Sequence, residues 1–185
     1  YLDLSVKAQY HSYEVMNQHV SFLFSSLLTD DCIARGKALL DGGVRYLGGT
    51  NETYGNINPS DSLWVIRDLV FNQKKYTLRQ LNDAMLANFN GYEALRKDCL
   101  NCDKYGNDLE TADTMANDLY EFVAKGVRDR GIAIGMQYFL IVISNNQLNT
   151  EWGNRTAASP DGRLSCMYMN PANKGERIKA APRPC

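Results

Sequence analysis

No stretch of this 185-residue chain approaches the roughly 20 consecutive apolar residues that a membrane-spanning helix needs, so no bilayer span is predicted. Histidine is almost absent. His11 and His19 are the only two, and they lie eight apart on one helical stretch, about two turns along its axis. That is poor material for a metal pair or a catalytic triad, and surface or core-edge histidines are expected. No charge of one sign dominates: 20 basic and 21 acidic residues leave a net charge of −1. This balance gives no electrostatic reason to expect nucleic acid or an anionic membrane as partner. The glycines of residues 42–55 are followed by no Gly-Lys-Ser/Thr, and no strand leads into them, which excludes a P-loop and a dinucleotide fingerprint. The five cysteines (Cys32, Cys99, Cys102, Cys166, Cys185) are odd in number and scattered, a poor disulfide framework, so a reducing cytoplasm is expected. No signal peptide is visible. The start at Tyr1 points to processing or to a sequence covering part of a longer product.

What is present is ordinary for a globular protein: 44% hydrophobic and 22% charged residues, enough for one domain with a core. Tyr13, Met16, Val20, Leu23 and Leu27 recur at steps of three and four and predict one face of a long helix over about residues 5–28. A short helix from Asp31 should stop at Gly36. Residues 41–60, rich in Gly, Asn and Thr, read as a long irregular segment. Ser60 and Asp61 can cap a helix with Leu63, Ile66 and Val70 on its apolar face. Thr77 and Gln80 form a capping box for a helix carrying Leu78, Leu81, Met85 and Phe89, with Asn90-Gly91 as its stop. Lys104–Asp108 is turn chemistry, followed by a long helix with Met115, Leu119, Phe122 and Val123 on one face, ending near Gly131. Tyr138–Ile143 is the one strong strand signal. It is continuously apolar, so both faces are expected to be buried, which requires sheet neighbours this chain scarcely offers.

Several constellations could carry chemistry. Cys99 and Cys102 form a CxxC, but no second pair completes a zinc site and no thioredoxin-like setting surrounds it, so two ordinary thiols near a helix end are expected. Asn107 and Asp108 supply too few ligands for a cation site. Asp161-Gly162-Arg163 reads as a salt-bridged turn. Asn51 and Asn154 open short glycosylation patterns that carry little weight. The run from Lys174 to Cys185 has four basic residues to one acidic and no apolar period, and reads as disordered or as a non-native end.

Taken in order, Asp31-Cys32-Ile33-Ala34-Arg35-Gly36-Lys37, Gly42-Gly43-Val44-Arg45-Tyr46, Asp61-Ser62-Leu63 with Leu69-Val70-Phe71, Tyr76-Thr77-Leu78, Asn88–Glu93, Lys104–Asp108 with Asp113, and Ser159–Arg163 resemble the glycyl radical enzyme family of the pyruvate formate-lyase type. The Lys-Tyr-Gly-Asn-Asp form looks nearer the choline trimethylamine-lyase and glycerol dehydratase branch. The resemblance implies an α/β fold, with this chain a mostly helical portion of a ten-stranded α/β barrel. It implies that residues 1–163 are part of the barrel domain and that 164–185 form a divergent, disordered tail. In the full-length family a thiyl cysteine and a glycyl radical, installed by a radical S-adenosylmethionine activase, act on a small-molecule substrate. The full-length enzyme is expected to be a homodimer. No Arg-Val-x-Gly-Tyr pattern occurs here, and Cys32 matches a position that is not the catalytic cysteine. The chain is therefore expected to hold no cofactor or metal site of its own and to be inactive alone. Tyr138 and Tyr46 are its two candidates for approach to substrate. A non-catalytic scaffold or binding protein derived from the same fold is the alternative, and an unrelated helical domain a third.

Overall fold

A computed structural model of the chain describes residues 1–53, 55–143 and 148–169. In chain order these form α1 (Leu2–His19), α2 (Leu23–Leu28), α3 (Cys32–Arg35), β1 (Gly48–Thr53) and α4 (Ile57–Val65). A wider π-type turn, Leu39–Gly43, precedes β1, and another, Ile66–Asn72, prolongs α4. There follow α5 (Leu78–Leu86), α6 (Glu93–Asn101), α7 (Glu110–Ala133), β2 (Tyr138–Ile143) and α8 (Leu148–Asn154). None of the described helices is long and apolar enough to cross a membrane. Two compact units share these elements: Tyr1–Glu52 with Glu121–Val142, and Thr53–Tyr120 with Ile143–Cys185.

In the first unit β1 and β2 pair into a two-stranded sheet. The pairing is made possible by glycine. The Tyr138 ring lies over Gly48 and the Phe139 ring over Gly49, so closely that a Cβ at either position would fall within 2.2 and 2.5 Å of ring carbon. This is why a stretch that reads as irregular contains a strand: its partner's aromatic rings fill the space side chains would need. The sheet also corrects the expectation for β2. Tyr138, Leu140 and Val142 are exposed on alternate positions, because two strands cover only one face.

The long first helix is likewise broken. Its C-terminus closes with Val20 N–H on the Met16 carbonyl, and Ser21 and Phe22 both take positive φ (57° and 43°) before α2 starts. Neither residue is glycine, so the kink costs on the order of 1–3 kcal/mol per residue and must be held by its surroundings. Ser26 does part of that: its hydroxyl donates to the Phe22 carbonyl and accepts the Leu39 N–H. With Ser26 turned inward, Leu23, Phe24, Leu27 and Leu28 of α2 are left exposed, contrary to the face the spacing predicts. The short helix α3 ends as expected, on Gly36 at φ 61°.

The second unit holds the main apolar core: Val65, Leu69, Leu81, Ala84, Phe89, Leu95 and Cys99. The capping box of α5 is present as the sequence requires. Thr77 Oγ1 accepts the Gln80 N–H and Gln80 Oε1 accepts the Thr77 N–H. The stop after α5 falls earlier than Asn90-Gly91, with Asn88 and Phe89 already left-handed, which drives the Phe89 ring into the core. Helix α4 departs most from expectation. Ser60 and Asp61 lie inside it and are buried, the buried apolar residues of α4 and its extension are Ile57, Val65 and Leu69, and Leu63 faces solvent. Of the apolar face expected at 63, 66 and 70, Ile66 and Val70 pack half-buried against the core and Leu63 turns outward, because the helix also buries the polar residues Ser60, Asp61 and Ser62. Helix α7 runs to Ala133, two residues past Gly131.

Arg163 is not a break in the packing. Met167 is buried, its carbonyl accepts from the Arg163 guanidinium, and the Met169 N–H donates to the Asn149 carbonyl. A Cβ on Gly153 would fall 2.3 Å from the Met167 carbonyl, so α8 and this segment meet backbone to backbone. The remainder of the expected tail, 170–185, and the Lys174–Cys185 run lie outside the described residues.

Candidate functional site

Among the described residues, polar side chains gather in each unit. In the first, a cleft of about 420 Å³ opens beside the start of both strands. Tyr10, Tyr13, Glu14 and Asn17 come from one face of α1, at helical spacing. The opposite wall is the loop Leu40–Arg45, and the floor is Leu47 and Gln137. Each wall is pinned. The Arg45 guanidinium forks onto both Asp31 carboxylate oxygens at 2.7 and 3.1 Å, holding that carboxyl below its ordinary range. Arg35 donates to the Gly42 and Val44 carbonyls and so closes the loop on itself. Gln137 and Leu47 exchange two bonds: the Leu47 N–H donates to Gln137 Oε1 at 2.6 Å, and the Gln137 N–H donates to the Leu47 carbonyl at 2.8 Å.

The two tyrosines singled out from sequence both fall in this unit, outside the walls of the cleft. Tyr46 is 65% exposed on the approach to β1. Tyr138, 45% exposed, covers Gly48. No hydrogen bond joins their phenols. The tyrosine that links strand and cleft is Tyr13, whose hydroxyl donates to the Gly48 carbonyl at 3.0 Å. Burial, and then the nearby Tyr138, raises the pKa of Tyr13. The sequence marks Tyr13 only as one position of an apolar stripe; its polar end is invisible to that pattern.

In the second unit, residues of three of the quoted motifs are buried in separate hydrogen-bonded groups, around Asp161 and Arg163, around Asp61, and around Lys104. Asp161 accepts from Asn58 through Oδ2 at 2.5 Å, and from the Ser159 hydroxyl and the Arg163 N–H through Oδ1. Arg163 is 1% exposed. Its guanidinium donates to the carbonyls of Ala157, Leu164 and Met167 and to the Ser159 hydroxyl. No ion pair joins Asp161 and Arg163, so the expected salt-bridged turn is a hydrogen-bonded one, with the cation spent on carbonyls. Burial lowers the Arg163 pKa and Asp161 opposes that. Asp61 is also 1% exposed. Its Oδ1 accepts the Tyr105 N–H at 2.9 Å, while Oδ2 has no partner. Its pKa is pushed up to about 7, chiefly by burial; the Tyr105 N–H and the Lys104 charge pull it down, and Asp161 and Asp113 push it up. Lys104 donates to the Cys99 and Cys102 carbonyls.

The remaining candidates are quiet. Burial pushes Cys99 to about 12 and Cys102 to about 11, the opposite of a reactive thiolate. His11 pairs with Glu14 on an exposed face. Among the described residues no group of three His, Cys, Asp or Glu is placed to hold a metal ion.

Comparison with known proteins places this architecture. The profile of the family described as "Pyruvate formate lyase-like" matches residues 1–148. The chain is 30% identical to trans-4-hydroxy-L-proline dehydratase of Clostridioides difficile and 31% identical to a probable dehydratase, YbiW, of Escherichia coli K12; each match covers 88% of this chain and 21% of the relative. Among solved structures, the glycerol-bound form of the B12-independent glycerol dehydratase from Clostridium butyricum superimposes with a TM-score of 0.83 at 26% identity, over 92% of this chain and 22% of that one. The hydroxyproline dehydratase of C. difficile, with its substrate bound, superimposes with the same TM-score at 28% identity, over 91% and 21%. The chain thus spans about a fifth of the length of these relatives, and its helices and small sheet are a portion of their α/β barrel. With four fifths of its length matched by the family profile, the chain belongs to the pyruvate formate lyase-like family of glycyl radical enzymes.

Proposed function

We propose that this chain supplies part of the barrel wall of a glycyl radical dehydratase or lyase, and that it is inactive alone. The observation that supports the second half is the state of the free cysteines among the described residues, Cys32, Cys99 and Cys102. A thiyl-forming cysteine must present its sulfur to substrate, whereas Cys32 and Cys99 are 2% and 0% exposed, and Cys102 rests against Asp68. The radical glycine and the reactive cysteine of the working enzyme are read here as lying outside these residues. A radical S-adenosylmethionine activase would install the radical, in a cytoplasmic, anaerobic setting and in a homodimeric enzyme. The relatives' dehydration of small hydroxylated compounds supports a small-molecule substrate. Within this portion, residues 1–163 form the barrel part and residues 164–185 diverge. Tyr138 and Tyr46, both exposed, are the side chains free to face a substrate completed by the rest of the barrel.

The test is anaerobic incubation of the chain with a radical S-adenosylmethionine activase, S-adenosylmethionine and reductant. The expected result is no glycyl radical signal by electron paramagnetic resonance and no turnover of hydroxyproline, glycerol or 1,2-propanediol. A radical signal or product from the chain alone overturns the reading. In a full-length enzyme carrying this segment, unchanged turnover with Tyr138→Phe removes Tyr138 from the substrate-facing list.

A further inference from the structure

We propose that the cleft walled by α1 and the loop Leu40–Arg45 is a binding site for a neutral, polyhydroxylated molecule of about hexose size. This is independent of the radical chemistry, since it concerns neither Tyr46 nor Tyr138 and can be tested on the chain itself. Three observations carry it. First, the cleft's volume, about 420 Å³, lies in the range of small-molecule sites, roughly 300–1,000 Å³. Second, the walls are fixed before any ligand arrives. The loop is held by the Arg45–Asp31 fork and the Arg35 bonds to carbonyls 42 and 44, and the floor by the Leu47–Gln137 exchange. A site built this way spends little of its binding energy on ordering itself.

Third, the groups left without intramolecular partners define the ligand. The Tyr10 hydroxyl, the Asn17 side-chain amide, the Asp41 carboxylate and the Gln137 side-chain NH₂ line the cleft unbonded, whereas the guanidiniums of Arg35 and Arg45 have donors committed to Asp31 and to backbone. The charges among the lining residues cancel, Arg35 and Arg45 against Glu14 and Asp41. Two amides, a phenol and a carboxylate match the paired donor-acceptor character of adjacent hydroxyls. The Tyr10 and Tyr13 rings offer apolar faces to C–H groups.

The probes are sorbitol and D-glucose, with citrate and spermidine as charged competitors. The readout is the side-chain amide signals of Asn17 and Gln137 and the backbone amide of Gly42 in ¹⁵N-labelled chain. The expected result is saturable shifts confined to these signals with sorbitol or glucose. Binding should weaken about tenfold, equivalent to 1.4 kcal/mol, in Asp41→Asn. Asn17→Ala should weaken it similarly, and Lys125→Ala, on exposed α7, should leave it unchanged. Asp41 lies on an exposed loop, so its variant reports on the site even if Asn17→Ala perturbs α1. The proposal is overturned by non-saturating shifts with both probes. It is overturned equally by unchanged affinity in Asp41→Asn, or by tighter binding of citrate or spermidine, which would make the site one for a charged ligand.

Discussion

Asn58 Nδ2 donates to Asp161 Oδ2 at 2.5 Å across 103 residues of sequence, and both side chains are buried. The bond joins the first turn of α4 to the turn after α8. Around it lie Asp61, Lys104 and Arg163, from three of the motifs that carry the family resemblance. A chemist reading those motifs would look for catalysis. Their geometry instead satisfies backbone carbonyls and N–H groups that would otherwise be buried unpaired.

Asp61 makes stability depend on pH. The folded carboxyl keeps its proton to about pH 7, while an unfolded one releases it near 3.8. Between those values the folded state binds more protons, so stability is full below about pH 4 and is lost as pH rises through about 7. One proton's difference is worth about 1.4 kcal/mol per pH unit. Asp61→Asn is expected to flatten this dependence and to be the more stable form at pH 8. Urea denaturation at pH 5 and pH 8 measures it.

Arg163→Ala removes a buried guanidinium that serves three carbonyls and a hydroxyl. A loss is expected of about 1–3 kcal/mol for each buried acceptor left unsatisfied. Arg163→Lys should recover little, because a single ammonium cannot reproduce the planar fork. Denaturation midpoints of the two variants against the parent decide this.

The thiols of Cys99 and Cys102 should react slowly. Their pKa values near 12 and 11 leave almost no thiolate at pH 8, and Cys99 has no exposed surface. Labelling with a disulfide reagent is expected to be slow in native buffer and fast in denaturant. Rapid native labelling at either position would contradict the burial.

Thr77→Ala should cost about 1 kcal/mol by opening the α5 capping box, and Thr77→Ser should cost much less. Gly153→Ala should be more severe, because its Cβ would meet the Met167 carbonyl and the Tyr168 backbone rather than a movable side chain. Thermal unfolding followed by circular dichroism ranks the three.

The elements legible in the sequence are those governed by neighbours a few residues away. The Thr77–Gln80 box, the stop at Gly36 and the run Tyr138–Ile143 all appear where spacing and turn chemistry put them. Strand β1 was illegible, because Gly48 and Gly49 make a strand only where the Tyr138 and Phe139 rings lie over them. The outward face of α2 was illegible too: its apolar spacing is real, but Ser26 takes the inner position by bonding Leu39, thirteen residues on.

The sequence by itself determined helix punctuation and the family motifs, since both depend on residue order over short spans. Tertiary structure alone decided what the motif residues do. Whether Asp61 is protonated and which side of α4 is buried depend on groups about 40 to 100 residues away in sequence. Burial and the local dielectric, which fix charge state and hydrogen-bond partners, come into existence only when those distant segments meet.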